Sequence, residues 1–283
     1  MLENEEILRG FWNGQIAVHL TLSQEDEETI PNPLLRQLFV LFRRVSYLPL
    51  AQSRILEYWK PEHPENVWFS TPAGEVLQWH YPIGLLYDLH GNGQVPWQLT
   101  VHLQHFPLDK LLRLDTGSTP VEPCLDAFMS TIKESDYLRH GSVKRVFGLP
   151  KQDQLDLWDG LVQGVICDDS ITLADDFDKF WKVNSTLIHD PESIPKSIPL
   201  RIYDSSDHTS VFQRKISVFT ESLGNFNKIK KRLEQTLGQL LNTYALHHKR
   251  AFLHGIEIPL DTSILFLGKY CVYPDNFCHL VLQ

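Results

Sequence analysis

An α+β fold is predicted for this 283-residue chain, with two small mixed modules flanking a helical middle. Three observations predict it. Residues 14–103 read strand, strand, helix, strand, helix, strand, and residues 198–282 repeat that order with little residue-by-residue similarity. Between them lies a helical, lysine-bearing stretch, Asp126-Ala-Phe-Met-Ser-Thr-Ile-Lys133-Glu-Ser-Asp-Tyr-Leu138. The repeated order is that of the ubiquitin-like β-grasp fold. Residues 1–12 are accordingly expected as an N-terminal helix and 13–108 as a first ubiquitin-like domain. Residues 116–190 follow as a helix-rich domain and 197–283 as a second ubiquitin-like domain.

The first strand is the clearest element. Ile16, Val18, Leu20 and Leu22 alternate with polar Gln15, His19, Thr21 and Ser23, the period of a half-buried strand. A second strand should end near 44–48, and Pro49 suits the start of a helix over 50–60, since a helix's first amide has no partner to lose. Pro61 and Pro64 stop that helix. Strands at 67–69 and 76–79 flank a Pro72-Ala-Gly74 turn, Pro82 opens a helix over 83–89, and Leu99, Val101 and Leu103 alternate in the closing strand. Thr116-Gly-Ser-Thr-Pro120 reads as a linker, followed by a helix over 121–139 and shorter helices carrying 155–158 and 177–181. The stretch 164–174 has no clear period, and Pro191, Pro195 and Pro199 mark the next boundary. In the second module the expected elements are strands at 198–203 and 211–219, a helix over 228–244, a strand at 251–258, a helix at 262–270 and a last strand at 277–282. Ile229, Leu233, Leu237, Leu240 and Leu241 carry the helical spacing in 228–244.

Composition narrows the function classes. A net charge of -9 argues against nucleic acid, whose binding rests on Lys and Arg at phosphates. Cys124, Cys167, Cys271 and Cys278 show no CxxC spacing, so they read as reduced thiols rather than metal ligands or a disulfide framework. The acidic start, Met-Leu-Glu-Asn-Glu-Glu, is not a secretory signal, and no run approaches the ~20 apolar residues of a membrane span. A soluble, cytosolic protein is expected.

Several runs, taken together, resemble the autophagy protein 5 family. They are Arg44-Val-Ser-Tyr-Leu48, Trp79-His-Tyr-Pro-Ile-Gly-Leu-Leu-Tyr-Asp-Leu89, Pro96-Trp-Gln-Leu-Thr-Val-His102, Phe128-Met-Ser-Thr-Ile-Lys-Glu-Ser-Asp136, Leu157-Trp-Asp-Gly-Leu161 and Phe177-Asp-Lys-Phe-Trp181. Ile198-Pro-Leu-Arg-Ile-Tyr203, His254-Gly-Ile-Glu257 and Tyr273-Pro-Asp-Asn-Phe277 complete the series in family order. The resemblance implies two ubiquitin-like domains around a helix-rich one and a covalent partner, the ubiquitin-like modifier autophagy protein 12. An activating and a conjugating enzyme join that modifier's C-terminal glycine to one lysine. It further implies a groove where the three domains meet, holding a helix of autophagy protein 16. The assembly then promotes ligase-like transfer of autophagy protein 8 to phosphatidylethanolamine, at the preautophagosomal structure membrane. The chain departs from the family pattern in three places. Residues 165–175 lengthen a usually short connection, 266–272 differ from the usual approach to the Tyr-Pro-Asp-Asn-Phe run, and 34–42 are longer and more apolar.

Lys133 matches the family's acceptor position. Leu125, Phe128, Met129 and Ile132 form the apolar face of its helix, and Lys133 lies at the edge of that face. A rigid helix there aims the amine while leaving it in reach of solvent. A free lysine amine (pKa ~10.4) must lose a proton before it attacks a thioester, which the conjugating enzyme is expected to assist. The bland alternative is a lysine snorkelling along an apolar edge. Trp12 and the Trp79-His80-Tyr81 cluster lie at element ends and are the candidates for the partner groove, with core burial as the alternative. The chain ends Val281-Leu-Gln283, without the glycine of a transferable modifier, and buried thiols make poor nucleophiles, so no catalytic residue is expected. No metal or cofactor is expected either: His102, His105, His247 and His248 lack the partners of a site, and Gly91-Asn-Gly93 is a turn. Asn184-Ser-Thr186 fits a glycosylation sequon that a cytosolic chain would not use. Lys228, Lys230, Lys231 and Arg232 offer at most weak, peripheral attraction to anionic lipid. The reading from another class is a ubiquitin-like-fold adaptor that binds its partners only non-covalently.

Overall fold

The computed structural model describes residues 4–28, 30, 36–62, 65–112, 114, 121–162, 165–166, 173–189, 194–195, 197–223, 230–246 and 249–283. In chain order the elements run α1 (Glu5–Trp12), β1 (Gln15–Leu22), α2 (Gln24–Glu27), β2 (Gln37–Arg43), a 3-10 turn at Leu48–Ala51, α3 (Gln52–Trp59), β3 (Trp68–Ser70), α4 (Ile83–His90) and β4 (Trp97–His102). The middle holds α5 (Val121–His140), α6 (Lys144–Phe147), α7 (Lys151–Val162) and α8 (Leu173–Ile188). The remainder is β5 (Ser197–Asp204), β6 (Asp207–Ser217), β7 (Phe219–Leu223), β8 (Lys230–Glu234), α9 (Leu237–Thr243), β9 (Ala251–Leu253), β10 (Ile256–Glu257), α10 (Ile264–Tyr270) and β11 (Cys278–Leu282). The expected linker at 116–120 and His247-His248 lie outside the described residues. The chain divides into two compact units. One comprises Gly10–Phe128 with Leu155–Phe180, the other Met1–Arg9, Met129–Gln154 and Trp181–Gln283.

In the first unit the sheet order is β2-β1-β4-β3. β1 runs parallel to β4 and antiparallel to β2, so the first and last strands of the module lie side by side, as the β-grasp order requires. The alternation in β1 is realised fully, with Ile16, Val18, Leu20 and Leu22 all buried. β2 stops at Arg43, earlier than the expected 44–48. Arg44 instead turns toward α4: its guanidinium pairs with Asp88 at 2.5 Å and donates to the Gly84 carbonyl at 3.2 Å. The Arg44 carbonyl accepts from the Gly84 amide at 2.7 Å, and a Cβ on Gly84 would sit 3.0 Å from Arg44 atoms. The expected strand at 76–79 reduces to one bridge, Ser70 to Val76, because Trp79 leaves the edge and donates its Nε1–H to the Leu112 carbonyl at 2.7 Å. Gly160 and Leu161 of α7 accept from Arg43 Nη1 (3.2 Å) and Ser46 Oγ (3.0 Å). Three of the family-like runs thus meet around one strand end.

In the second unit the order is β10-β9-β11-β5-β6, with β5 parallel to β11 and antiparallel to β6. Counted from β5, this is the same first-beside-last arrangement with one more strand. A separate two-stranded sheet pairs β7 with β8. The helix expected over 228–244 is therefore corrected: 230–234 is a strand, and only Leu237–Thr243 is helical. The reason is a start signal inside the stretch. Thr236 accepts from the Gln239 amide while Gln239 caps the Thr236 amide in return, a capping box that begins α9 there. The basic run accordingly does not open a helix. Lys230–Arg232 lie on β8, and Lys228 is outside the described residues. The single strand expected at 251–258 is a hairpin, turning at His254 and Gly255 with positive φ.

Candidate functional site

The buried stripe of α5 is Cys124, Phe128, Ile132, Ser135, Asp136 and Arg139, with Met129 beside it. These residues sit at helical spacings of three and four, and Leu125, expected on that face, is only half-buried. Lys133 is half-buried next to Ile132, which is fully buried.

Within its unit the lysine-bearing part of α5 is braced by four groups. Arg139, 4% exposed, donates to the carbonyls of Gly268 (2.9 Å) and Asn276 (3.4 Å). Ser197 Oγ donates to the Leu138 carbonyl at 3.0 Å. Glu134, adjacent to Lys133, accepts from Arg201 at 2.9 Å and from Gln213 at 2.5 Å. Arg201 in turn lies 3.9 Å over the Phe277 ring. On the other flank, Asp136 accepts the Val146 amide at 3.3 Å and ties α6 to α5. Burial raises the Asp136 carboxyl above its usual range, while the Val146 amide and the charges of His140 and Arg145 pull it down. Burial lowers the His140 imidazole, which is 2.8 Å from the Leu187 carbonyl.

That tie sets the surroundings of the amine. Lys133 Nζ lies 5.6 Å from the centroid of Phe147, a ring 68% exposed, and has no ion-pair partner among the described residues. Tyr137, one turn further along α5, is 58% exposed. The arrangement holds the root of the side chain firmly and leaves its amine without an ion-pair partner among the described residues, beside the exposed Phe147 ring. The sequence reading missed Phe147 and Glu134. The only signal was an aromatic residue ahead of the Gly148-Leu-Pro150 break, which periodicity cannot connect to position 133.

The other candidates fall elsewhere. Trp12 is 2% exposed and packs against Phe177 (6.0 Å) and Phe180 (4.9 Å), with the Arg43 guanidinium 5.4 Å over its ring. It is a core side chain, since no partner reaches a covered ring. Trp79 is likewise buried, whereas His80 and Tyr81 are half-exposed and their rings meet at 4.5 Å. Cys124, Cys271 and Cys278 are buried, and burial pushes the first two up to about 12 and the third higher. Cys167 lies outside the described residues. His102 stacks on Trp68 at 3.6 Å and bonds Ser70 at 2.9 Å, Asn184 is fully buried, and the described residues contain no metal-ligating cluster. No described helix is long and apolar enough to cross a membrane.

Comparison with known proteins matches three family models along the chain: Autophagy protein ATG5, UblA domain over residues 11–103, its alpha-helical bundle region over 121–190 and its UblB domain over 197–282. Autophagy protein 5 of Drosophila melanogaster is 34% identical, over 99% of this chain and 97% of its own length. Autophagy protein 5 of Emericella nidulans is 30% identical, over 98% and 97% respectively. The crystal structure of Kluyveromyces marxianus Atg5 superposes with a TM-score of 0.77 at 24% identity, covering 99% of this chain and 100% of that one, which shows the shared fold. Two ubiquitin-like domains flanking a helical bundle, in this order and over this length, make the chain a member of the autophagy protein 5 family.

Proposed function

We propose that, within its role in autophagy, this chain is the lysine acceptor of a ubiquitin-like modifier, autophagy protein 12, and that Lys133 is the acceptor. The Lys133 amine, once deprotonated, attacks the thioester carbonyl that links the modifier's C-terminal glycine to a conjugating-enzyme cysteine. A C–N bond forms, the C–S bond breaks, and the cysteine leaves as a thiol with the proton. The observation that carries this reading is the placement of Lys133: an amine with no ion-pair partner among the described residues, on a helix braced by Arg139, Ser197 and Glu134. Such bracing lowers the cost of aligning amine and thioester, because the helix is already ordered before the encounter.

On this reading the chain is a scaffold rather than an enzyme. It binds autophagy protein 16 as a helix, with His80 and Tyr81 as the remaining anchor candidates, and the conjugate promotes transfer of autophagy protein 8 to phosphatidylethanolamine. It works from the cytoplasm and holds to the preautophagosomal structure membrane peripherally, through its partners. The test is reconstitution with the modifier, its activating and conjugating enzymes and ATP, comparing wild type with Lys133→Arg on a denaturing gel. A shifted band in wild type alone supports the acceptor role. A band in both moves the acceptor to another lysine. No band in either, with the enzymes active on a control substrate, favours the non-covalent adaptor.

A further inference from the structure

The apolar run 34–42, which the acceptor reading leaves unused, supplies an exposed sheet edge. β2 is the outer strand of its sheet, and Phe39 and Leu41 are 65% and 43% exposed, with Leu38 and Val40 half-buried. Backbone direction alternates along it. The Arg44 amide and Arg36 carbonyl bond inward to Gly14 and Leu22, whereas the Arg43 amide donates outward to the Val165 carbonyl at 3.1 Å. By this period of two, the N–H and C=O of Phe39 and Leu41 face outward, and no described residue pairs with them.

The other edges of the two larger sheets are blunted. β10 has two residues, β3 has three and is met by residues 75–77, and β6 carries exposed Arg214 and Lys215. Short, covered or charged edges are how proteins avoid unwanted pairing. Between Gln37 and Phe42, β2 has no charge and no proline. Its outer edge also accepts an antiparallel bridge from Ile166 to Phe42, which sets the direction a further strand would take. Alongside lies a cavity of about 370 Å³, floored by Leu38, Val40, Tyr58 and Ile166 and rimmed by Arg54, Lys60 and Glu57.

We propose that this edge is the docking site for an extended peptide of a partner protein, added as a strand antiparallel to β2. Its outward amides and carbonyls pair with Phe39 and Leu41, and alternate apolar side chains enter the cavity, the mode by which sheet edges recognise peptides. At the rim Arg54 pairs with Glu57 at 3.9 Å, and the Lys60 ammonium beside them favours an acidic side chain at the peptide's end. The unpaired stretch Leu38–Leu41 spans about 14 Å at ~3.4 Å per residue, and it ends at the Gln37 carbonyl, which accepts from Tyr58 Oη at 3.2 Å.

The test selects random phage-displayed peptides on the full chain and titrates synthetic copies of the binders. Binders with alternating apolar residues, a loss of affinity of about tenfold or more in Leu41→Pro and slower exchange of the Phe39 and Leu41 amides on binding would support the site. Leu41→Pro removes an outward N–H without touching the ladder to β1. Phe39→Lys gives a second reading should the proline variant fail to fold. Four results overturn the proposal: no binders, binders indifferent to both variants, Phe39 and Leu41 amides protected before peptide is added, or a dimer that Leu41→Pro abolishes. The last would assign the edge to a second copy of this chain.

Discussion

Arg139 allows the bracing of the lysine helix to be tested in magnitude. It is a fully buried cation whose hydrogen-bond acceptors are two backbone carbonyls, Gly268 at 2.9 Å and Asn276 at 3.4 Å. Removing the guanidinium leaves both carbonyls unpaired, at roughly 1–3 kcal/mol each, with the longer contact counting least. An opposing effect is comparable. Burial pulls the Arg139 guanidinium down to about 10, so the folded protein holds that proton less tightly than the unfolded chain does. At neutral pH the charged form therefore costs about 3 kcal/mol, which a neutral side chain returns. Arg139→Met, of similar reach, is expected to change stability by less than about 2 kcal/mol in either direction. Arg139→Ala also empties the space of the side-chain stem and is expected to lose a further ~2–4 kcal/mol. Urea unfolding followed by circular dichroism separates the two. Equal damage from Met and Ala would refute the reasoning, because the charged hydrogen bonds, and not the packing, would then carry the brace.

Trp12→Ala should destabilise the first unit by about 3–5 kcal/mol in thermal unfolding, as expected of a buried aromatic; unchanged stability with weaker partner binding would return Trp12 to the groove. Lys249 and then Ser206 hold the Asp204 carboxyl down to about 2, below the unfolded value of ~3.9. That contribution is present above about pH 4 and is lost as pH falls toward 2. Both side chains are partly exposed, so it amounts to less than about 1 kcal/mol, and Lys249→Met should flatten the stability profile across that window. Cys124, Cys271 and Cys278 should stay unlabelled by a thiol reagent at pH 8 in the folded protein and react once it is denatured, as intact mass would record. Labelling of any of the three in the folded state would contradict their burial.

The elements that could be read from the sequence are those whose pattern is carried by their own neighbours. β1 shows its alternation over eight residues, and α4 and β4 are bounded by Pro82, Gly91 and Gly93, so their limits are legible. The stretch 228–244 misled because Leu233, Leu237, Leu240 and Leu241 suit a helix equally well, while the deciding Thr236–Gln239 box is a local signal that an apolar periodicity overrides. At the candidate site, the edge position of Lys133 follows from Phe128, Met129 and Ile132. What surrounds its amine does not. Phe147 is brought in by the Asp136–Val146 hydrogen bond, and Glu134 is held by Arg201 and Gln213, residues 67 and 79 positions away. Contacts of that range are set by topology and leave no periodic mark.

The acceptor role of Lys133 is tested most directly by mass spectrometry of the purified conjugate, formed by the wild-type chain and digested with trypsin. A branched peptide carrying the modifier's C-terminal remnant on Lys133, with cleavage blocked at that residue, is the result predicted here. A remnant on any other lysine, or a modifier released intact by denaturation, would contradict it.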